Sequence, residues 1–313
     1  MFKKLSPYIS IARPDHWFKN VFMLPGFLLA FLFSGQSFNA DIFFTILLGI
    51  FATCLIASAN YTINEILDAP FDKNHPVKKN RPVPAGLIKI KLGYLQYFLI
   101  ALGGLILSYN INFYFFLSNL LLLVMGLFYN VPPVRTKDVI YLDVLSESVN
   151  NPLRFLLGWF CVTTLVLPPL SVILAYWMIG ALFMATKRLG EIRYISNQKI
   201  VNTYRKSLAR YTEESLITSI IFYTSMFSFF SAIFLIRYKF ELIFTMPILA
   251  LLITEYLRIG FLPNSPVQYP EKLYKQPVLL IICIIFLISF VALIFIKIPW
   301  LLKLFDPLSE VHQ

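Results

Sequence analysis

Apolar residues in this chain occur in long runs, and the polar residues collect between those runs. A helix needs about 20 mostly apolar residues to cross the hydrocarbon core of a bilayer. Runs that reach or approach this length lie at 17–35, 42–63, 91–109, 111–130, 144–166, 170–186, 214–236, 241–258 and 277–298. The pattern predicts an all-α fold, a polytopic membrane bundle of nine transmembrane helices. The fifth run is the most polar, because it contains the stretch SESVNNPLR.

The composition agrees with a membrane bundle. Hydrophobic residues make up 58% of the chain and charged residues 14%, whereas soluble domains carry about 25% charged residues. A buried core could not absorb so much apolar surface. We expect the bundle to act as a single domain over residues 1–313. The three cysteines and three histidines are too scattered to predict a disulfide framework or a histidine-ligated metal site.

Basic residues collect on one side of the predicted bundle. All but four of the 27 Lys and Arg residues fall on the side of the N-terminus; the exceptions are Arg237, Lys239, Lys297 and Lys303. Because cytoplasmic loops carry an excess of Lys and Arg, we expect the N-terminus and the active site on the cytoplasmic side of the inner membrane. The net charge of +11 indicates anionic partners, such as phosphates or lipid head groups. Nucleic acid is not expected, because no soluble basic module is present.

The stretch NEILDAPFD places two acids at the end of the second apolar run. Asn60, Asn64 and Asp68 are four residues apart, and residues at this spacing share one face of a helix. Pro70 is expected to end or kink that helix, which leaves Asp72 at its end or in the loop. Carboxylate and amide oxygens suit Mg²⁺, which binds a few carboxylates together with substrate phosphate oxygens. The sequence therefore predicts a Mg²⁺ site here.

The cations that follow this stretch are candidates for binding a diphosphate carried by the metal. Lys78 and Arg81 come first, and Arg135 and Lys137 follow in a later loop near a membrane boundary. Basic side chains at such positions can bind phosphate oxygens. The alternative is that the two aspartates are ordinary helix-end acids paired with nearby lysines, and that the later cations only mark the cytoplasmic side.

A second polar stripe enters the fifth run. It consists of Asp143, Glu147, Asn150 and Arg154, which are spaced by four, three and four residues and so lie on one side of a helix. Either these residues take part in function, with Arg154 binding substrate, or they form a buried structural ion pair such as Glu147 with Arg154.

The stretch KRLGEIR begins the most basic loop of the chain. Lys187 and Glu191 are four residues apart, and Arg188 is adjacent to Lys187. A solvated helix pair of this kind is worth only a few tenths of a kcal/mol. The seven Lys and Arg residues between positions 187 and 210 outnumber the nearby acids, so a second anion site is predicted in this loop.

These residues together resemble the UbiA superfamily of intramembrane prenyltransferases, over nearly the whole chain. The resemblance rests on NEILDAPFD, on the RP pair that closes the following loop, and on FYNVPPVRTKD after the fourth run. The family motif usually begins Asn-Asp, and this chain has Glu65 at the second position. The resemblance implies a UbiA-like nine-helix bundle that transfers a group away from a diphosphate, with Mg²⁺ held by Asn64, Asp68 and Asp72.

The basic stretch KRLGEIR favours one branch of that superfamily. Typical aromatic prenyltransferases carry a second aspartate-rich motif there, whereas ARPDHWFKN, KRLGEIR and RKSLARYT are similar to the polyprenyl-phosphate (decaprenyl-phosphate) phosphoribosyltransferase branch. The implied donor is phosphoribosyl pyrophosphate and the implied acceptor is a polyprenyl phosphate in the lipid bilayer. The implied substrate-binding residues are Lys19, Asn20, Lys78, Arg81, Arg135, Lys137, Arg154 and Arg188. The implied catalytic residues are Asp68, Asp72, Lys187 and Glu191.

Two other functions are compatible with the sequence. A prenyltransferase would move a polyprenyl chain from its diphosphate to an aromatic acceptor. A transporter of a phosphorylated lipid would also need a basic cytoplasmic face, but transporters tend to place functional charge near the midplane and to contain repeated halves. Here the charge lies at one membrane boundary, and no internal repeat is evident.

Overall fold

The structure is a computed structural model that describes residues 2–73, 78–194, 206–263, 265–268 and 270–305. Every regular element in these ranges is a helix. The chain divides into two compact units, which are Met1–Pro168 with Ile195–Leu216, and Pro169–Tyr194 with Ile217–Gln313. The action of the chain as one functional domain stays a prediction.

The first unit is built around one long helix. Its helices are α1 (Phe2–Ala12), α2 (Leu24–Ser34), α3 (Ala40–Asp72), α4 (Ile90–Ile111), α5 (Phe113–Asn130), α6 (Leu142–Ser148) and α7 (Asn150–Val162). A 3₁₀ helix, Pro14–Met23, joins α1 to α2. The central helix is α3, which packs against α4, α5 and α7. Its buried face therefore lies at the core of this unit.

Asparagine side chains define where two of these helices begin. The side chain of Asn39 accepts a hydrogen bond from the backbone N–H of Ile42 (2.9 Å) before α3, and Asn112 accepts one from Phe115 (2.8 Å) before α5. Such caps satisfy backbone donors that the first turn of a helix leaves without a partner. The short turn between α4 and α5 therefore follows from the asparagine in its sequence.

The second unit contains the remaining helices. They are α8 (Leu170–Tyr194), α9 (Glu213–Tyr238, whose first turn belongs to the first unit), α10 (Met246–Gly260), α11 (Pro277–Phe295) and α12 (Pro299–Phe305). The helix α10 packs against both α8 and α11. Gly260 allows α10 to approach α8 closely, because a Cβ atom there would lie 2.5 Å from the Thr186 side chain.

Eight helical segments among the described residues are long and apolar enough to cross a membrane. They correspond to eight of the nine predicted runs. The difference is the predicted run at 144–166, which is divided into α6 and α7 at Val149. Val149 itself keeps a right-handed helical backbone (φ −55°, ψ −26°), so α6 and α7 follow each other directly over residues 142–162. Neither helix alone has the about 20 residues that a span needs.

The polar fifth run is accommodated inside the protein. Within α7, Phe155, Leu157 and Trp159 are fully buried, and α7 packs against α2, α3 and α5. Arg154 is buried as well. Polar side chains facing lipid are costly, so a segment as polar as SESVNNPLR is stable where other helices surround it.

Candidate active site

The C-terminal part of α3 carries the predicted metal ligands. The helix continues through Pro70 to Asp72, so the proline does not end it, contrary to one of the two outcomes expected from the sequence. Asn64, Asp68 and Asp72 are therefore all helical, and their spacing places them on one face. Asp72 is almost fully buried, and the side chain of Asp68 is 21% exposed.

Two cations from the loop after α5 meet the carboxylate of Asp68. Arg135 Nη2 donates to Asp68 Oδ1 at 3.0 Å, and Lys137 Nζ donates to the same oxygen. The Arg135 guanidinium also lies 4.8 Å from the centre of the Phe71 ring and forms an ion pair with Asp138 (3.0 Å). The structure thus brings together Asp68, Arg135 and Lys137, which are 67 and 69 residues apart in the sequence.

Asn130 connects this ion pair to Asn64. Its side-chain oxygen accepts from Lys137 Nζ at 2.7 Å and from Asn64 Nδ2 at 2.5 Å. The amide nitrogen of Asn64 is thereby engaged, so its amide oxygen is the atom that could bind a metal. Asn130 was not among the site residues predicted from the sequence, although it lies within FYNVPPVRTKD, one of the segments in which the family resemblance is found.

A glycine allows α5 to approach α3 at this point. A Cβ atom on Gly126 would lie 2.1 Å from Asn60 Oδ1, so any larger residue would collide with the Asn60 side chain. Asn60 Nδ2 donates to the backbone oxygen of Leu122 (2.9 Å). Asn60 therefore fixes the packing of the two helices, one turn away from the candidate ligand Asn64.

The loop after α3 contributes a second ion pair. Arg81 Nη1 donates to Asp72 Oδ2 at 2.6 Å, and the two residues are nine positions apart. Lys78 lies in a short 3₁₀ helix, Lys78–Asn80, and is half-buried. The predicted cation Arg81 is thus placed directly on the predicted metal ligand Asp72.

Glu65 has a different role from its neighbours in the motif. Its Oε1 accepts from the backbone N–H of Val83 (3.1 Å), and its Oε2 lies 3.6 Å from Arg13 Nη2. The side chain is only 2% exposed. Arg13 was absent from the candidates chosen by sequence, although it belongs to the quoted stretch ARPDHWFKN.

Asn20 and Arg154, both predicted to bind substrate, bind each other. Arg154 Nε donates to Asn20 Oδ1 at 3.0 Å, and Asn20 Nδ2 donates to Cys54 Sγ at 3.1 Å. Both residues are buried. Arg154 also donates to the backbone oxygen of Asn150 (3.2 Å), so within the described residues its partner is Asn20 and not Glu147. Lys19 Nζ lies 5.6 Å from the centre of the Tyr61 ring.

Asp143 holds the segment that precedes α9. Its Oδ1 accepts from the Tyr211 hydroxyl (2.7 Å), and its Oδ2 lies 3.3 Å from Ser207 Oγ. Ser207 Oγ in turn donates to the backbone oxygen of Lys137 (2.7 Å). The carboxylate is fully buried, so it connects the loop carrying Lys137 to part of RKSLARYT. Arg205, at the start of that stretch, lies outside the described residues.

In the second unit, Arg188 and Glu191 form an ion pair within α8. Arg188 Nη1 donates to Glu191 Oε2 at 2.7 Å, and Arg188 is almost fully buried. The spacing of this pair is three residues, and the pairing of Lys187 with Glu191 expected from the sequence stays a prediction. Lys187 is half-buried in the same helix. Burying a charged Arg side chain within an apolar helix costs free energy, and such residues are therefore functional candidates even when they are paired.

The donor atoms on α3 are suited to Mg²⁺. Nowhere in the described parts of the chain do three His, Cys, Asp or Glu side chains converge as a metal cluster. Two carboxylates and one amide oxygen on a helix face nevertheless match the preference of Mg²⁺ for few protein ligands plus substrate phosphate oxygens. The cations now paired with Asp68 and Asp72 are of the kind that binds those phosphates.

The described parts of the chain contain only helices as regular elements, and eight of their segments are apolar and long enough to cross a membrane. These features define the class of the protein, which is a multi-pass membrane protein. The UbiA prenyltransferase family model matches residues 22–268. Since this match covers well over half of the chain, the protein belongs to the UbiA prenyltransferase family, as the sequence resemblance indicated.

Two bacterial proteins with the same name are similar in sequence to part of this chain. The chain is 29% identical over 217 residues to the decaprenyl-phosphate phosphoribosyltransferase of Mycolicibacterium smegmatis, covering 68% of this chain and 64% of that protein. It is 27% identical over 213 residues to the protein of the same name from Corynebacterium glutamicum, covering 65% of this chain and 59% of that protein. The match thus spans less than two thirds of the length of either relative.

A solved structure confirms the fold. A UbiA homologue from Archaeoglobus fulgidus, solved with GPP and Mg²⁺, superposes with a TM-score of 0.69 over 93% of this chain and 100% of that chain. The sequence identity is 19%, so this likeness concerns the fold alone. The predicted all-α, UbiA-like membrane bundle is confirmed.

Proposed function

We propose that this protein is a Mg²⁺-dependent transferase that moves a phosphoribosyl group from phosphoribosyl pyrophosphate to a polyprenyl phosphate. The observation that carries the proposal is the pairing of the α3 aspartates with cations from two loops: Asp68 with Arg135 and Lys137, and Asp72 with Arg81. The names of the two bacterial relatives support the choice of substrates.

The metal would be held by Asn64, Asp68 and Asp72. When bound, Mg²⁺ neutralises charge that develops on a departing diphosphate. Asn130 orients Asn64 through the 2.5 Å hydrogen bond, which leaves the amide oxygen of Asn64 as its ligand atom. The ligands lie on a single helix, so they are positioned before substrate arrives.

The cations of the site would bind the diphosphate. Arg81, Arg135 and Lys137 already lie against the carboxylates that would hold the metal, and Lys78 lies in the same loop as Arg81. On binding, these side chains exchange a carboxylate oxygen for a phosphate oxygen. Because Lys137 is buried, its charge is shielded little by water and is worth more to a bound anion.

The acceptor phosphate would be the nucleophile. One of its oxygens forms a bond to the anomeric carbon of the ribose, and the bond from that carbon to the diphosphate breaks with its electron pair leaving on the diphosphate. Lys187, Arg188 and Glu191 of α8 are proposed to bind and orient this acceptor. The reacting group of a lipid phosphate is anionic and needs cations beside it, whereas a reacting aromatic ring is neutral, and this is the chemical reason to connect the basic loop with a lipid phosphate.

We further propose that this chemistry takes place at the cytoplasmic face of the inner membrane. The excess of Lys and Arg on the loops that carry the site supports this orientation. Phosphoribosyl pyrophosphate is a soluble, highly charged donor, so a site that opens to the cytoplasm could receive it. The polyprenyl chain of the acceptor would remain among the apolar helices and lipid.

Prenyl transfer to an aromatic acceptor is the second candidate. It is favoured by the fold match to a UbiA homologue that was solved with GPP, a prenyl diphosphate. Both reactions need a metal-bound diphosphate, so the aspartates of α3 would serve either one. The two candidates differ in the donor and in the acceptor.

The deciding experiment supplies membranes containing the protein with labelled phosphoribosyl pyrophosphate and polyprenyl phosphate, and separately with prenyl diphosphate and an aromatic acid. We expect a lipid-linked phosphoribosyl product that depends on Mg²⁺. A prenylated aromatic product with no phosphoribosyl lipid would replace the first proposal by the second. Accumulation of a labelled polyprenyl phosphate in vesicles without chemical conversion would instead indicate transport.

A further inference from the structure

Arg13 has a strained backbone between α1 and the following 3₁₀ helix. Its φ of 49° and ψ of 59° lie in the left-handed region, which few residues other than glycine adopt. Its N–H donates to the oxygen of Ser10 (3.2 Å), and its own oxygen accepts from His16 (2.9 Å). Strained residues of this kind cluster at functional sites. The fixed backbone restricts where the Arg13 side chain can reach.

That side chain is directed at Glu65. The guanidinium lies 3.6 Å from Glu65 Oε2 and 5.8 Å from the centre of the Tyr61 ring. Glu65 uses its other oxygen to accept from the backbone of Val83 (3.1 Å), two residues beyond Arg81. A single buried carboxylate therefore connects the N-terminal segment to the loop that carries Arg81.

The result is that two arginines are held on neighbouring parts of the same loop and helix. Arg13 lies on Glu65, whose other oxygen binds the backbone of Val83, two residues beyond Arg81. Each arginine has its own buried carboxylate, Glu65 for Arg13 and Asp72 for Arg81. Both arginine side chains keep some exposure, 17% and 23%. Partly exposed guanidinium groups fixed beside one another favour a shared anion, and the fork of each guanidinium matches phosphate geometry.

We propose that Arg13 and Arg81 together bind a phosphate group of the donor substrate, and that Glu65 is the positioning residue that holds Arg13 beside Arg81. The identity of the donor rests on the proposed function; the binding of a phosphate group does not.

This arrangement also bears on which donor fits. The first unit then has two groups of cations, one of Arg13 with Arg81 and one of Arg135 with Lys137 on Asp68. Phosphoribosyl pyrophosphate carries a diphosphate and a separate monophosphate on its ribose. Arg81 also belongs to the cations proposed for the diphosphate, through Asp72. Arg13 is therefore the added cation that a second anionic group of the donor would use, and a prenyl diphosphate has no such second group.

The test is direct binding to the purified full-length protein in lipid nanodiscs. The probes are phosphoribosyl pyrophosphate, inorganic pyrophosphate and inorganic phosphate. The variants are Arg13→Gln, Arg13→Lys, Glu65→Gln and the double variant that combines Arg13→Gln with Glu65→Gln. Arg258→Gln is the matched control, because it also removes an arginine from an Arg–Glu pair, the exposed one within α10.

We expect Arg13→Gln to weaken the binding of phosphoribosyl pyrophosphate at least tenfold, and Arg13→Lys to weaken it less, because the charge is kept without the fork. Glu65→Gln should weaken binding in the same direction. The double variant should bind phosphoribosyl pyrophosphate as tightly as Arg13→Gln alone, because Glu65 acts through Arg13. The KM for the donor should rise in all of them more than kcat falls.

Three outcomes would overturn the proposal or part of it. If Arg13→Gln bound every probe with the same affinity as Arg258→Gln, Arg13 would not be a phosphate ligand. Should Arg13→Gln not fold, the same comparison is made with Arg13→Lys. If Glu65→Gln lowered only the unfolding temperature, Glu65 would not position Arg13 for binding. If the two changes had additive effects on binding, Glu65 would act on its own.

The proposed function can fail separately. If the unaltered protein bound inorganic phosphate or pyrophosphate but not phosphoribosyl pyrophosphate, the assignment of the donor would be wrong. The effect of Arg13→Gln on the binding of those smaller anions would then still decide whether Arg13 is a phosphate ligand.

Discussion

The side chains of Asn64 and Asn130 meet at 2.5 Å, and this contact joins the metal-binding face of α3 to the end of α5. Because Asn130 accepts at the same oxygen from Lys137, one amide orients both a candidate metal ligand and a candidate diphosphate ligand. It does so from a helix that carries neither of them.

We therefore predict that Asn130→Ala impairs activity without abolishing the fold. A hydrogen bond to a charged group contributes about 1.5–3 kcal/mol, so the loss at Lys137 should raise the KM for the donor by about tenfold or more. Steady-state kinetics at varied donor concentration measures this. Asn110→Ala is the control, since Asn110 is exposed and donates only to its own helix. Equal kinetics for the two variants would contradict the role of Asn130.

The aspartates of α3 give the second prediction. Asp68→Asn and Asp72→Asn should each lower Mg²⁺-dependent turnover by about 100-fold or more, the size of effect expected when a group that stabilises developing charge is lost. Asp41→Asn, in the first turn of the same helix, should leave turnover unchanged. Turnover is measured across a range of Mg²⁺ concentrations. If both variants kept their Mg²⁺-dependent turnover, the metal assignment would be wrong.

Much of the fold could be predicted because its signal is local. Apolar runs of spanning length recur along the chain, and eight of them are helical segments that could cross a membrane. The run at 144–166 could not be assigned in this way. Its polar residues are stable in a helix where α2, α3 and α5 enclose α7, and the sequence does not show which helices enclose it.

The candidate site could be predicted only in part. The spacing of Asp68 and Asp72 selected them, and the loop cations were noticed for their charge. Arg13 and Asn130 were missed, since a single arginine or asparagine in an apolar chain has many structural roles. Only the contact of Arg13 with Glu65 and that of Asn130 with Lys137 distinguish these two residues. The first contact joins residues that are distant in the sequence, and the second depends on side-chain directions set by tertiary packing.

The close approach of α5 to α3 leads to a third prediction, which concerns stability. Gly126→Ala would place a Cβ atom against Asn60, at 2.1 Å from its oxygen in the present geometry. Overpacking of this kind costs about 1–3 kcal/mol, so the unfolding temperature in detergent should fall. Donor binding should weaken as well, since Asn130 lies one turn further along α5.

Gly103→Ala provides the matched control for this change. Gly103 lies in α4, where a Cβ atom would meet nothing within 4 Å, and alanine is favoured over glycine in a helix by about 1 kcal/mol. This variant should be as stable as the unaltered protein or slightly more so. The double variant Gly126→Ala with Asn60→Ala should recover part of the lost stability. If the Gly126→Ala protein were as stable as the Gly103→Ala protein, α3 and α5 could move apart without a loss of folding free energy, and the prediction would be wrong.

The acceptor side gives the last prediction. Lys187→Gln should raise the KM for polyprenyl phosphate by about tenfold, which is the change expected when one charge-assisted hydrogen bond to the substrate is lost. The KM for phosphoribosyl pyrophosphate should stay nearly unchanged. Arg193→Gln is the control, because Arg193 belongs to the same helix, is exposed, and donates to the backbone oxygen of Phe261 (3.0 Å). Kinetics with each substrate varied in turn separates the two effects. A rise in the KM for the donor instead would assign Lys187 to the diphosphate, and the acceptor phosphate would then need other cations.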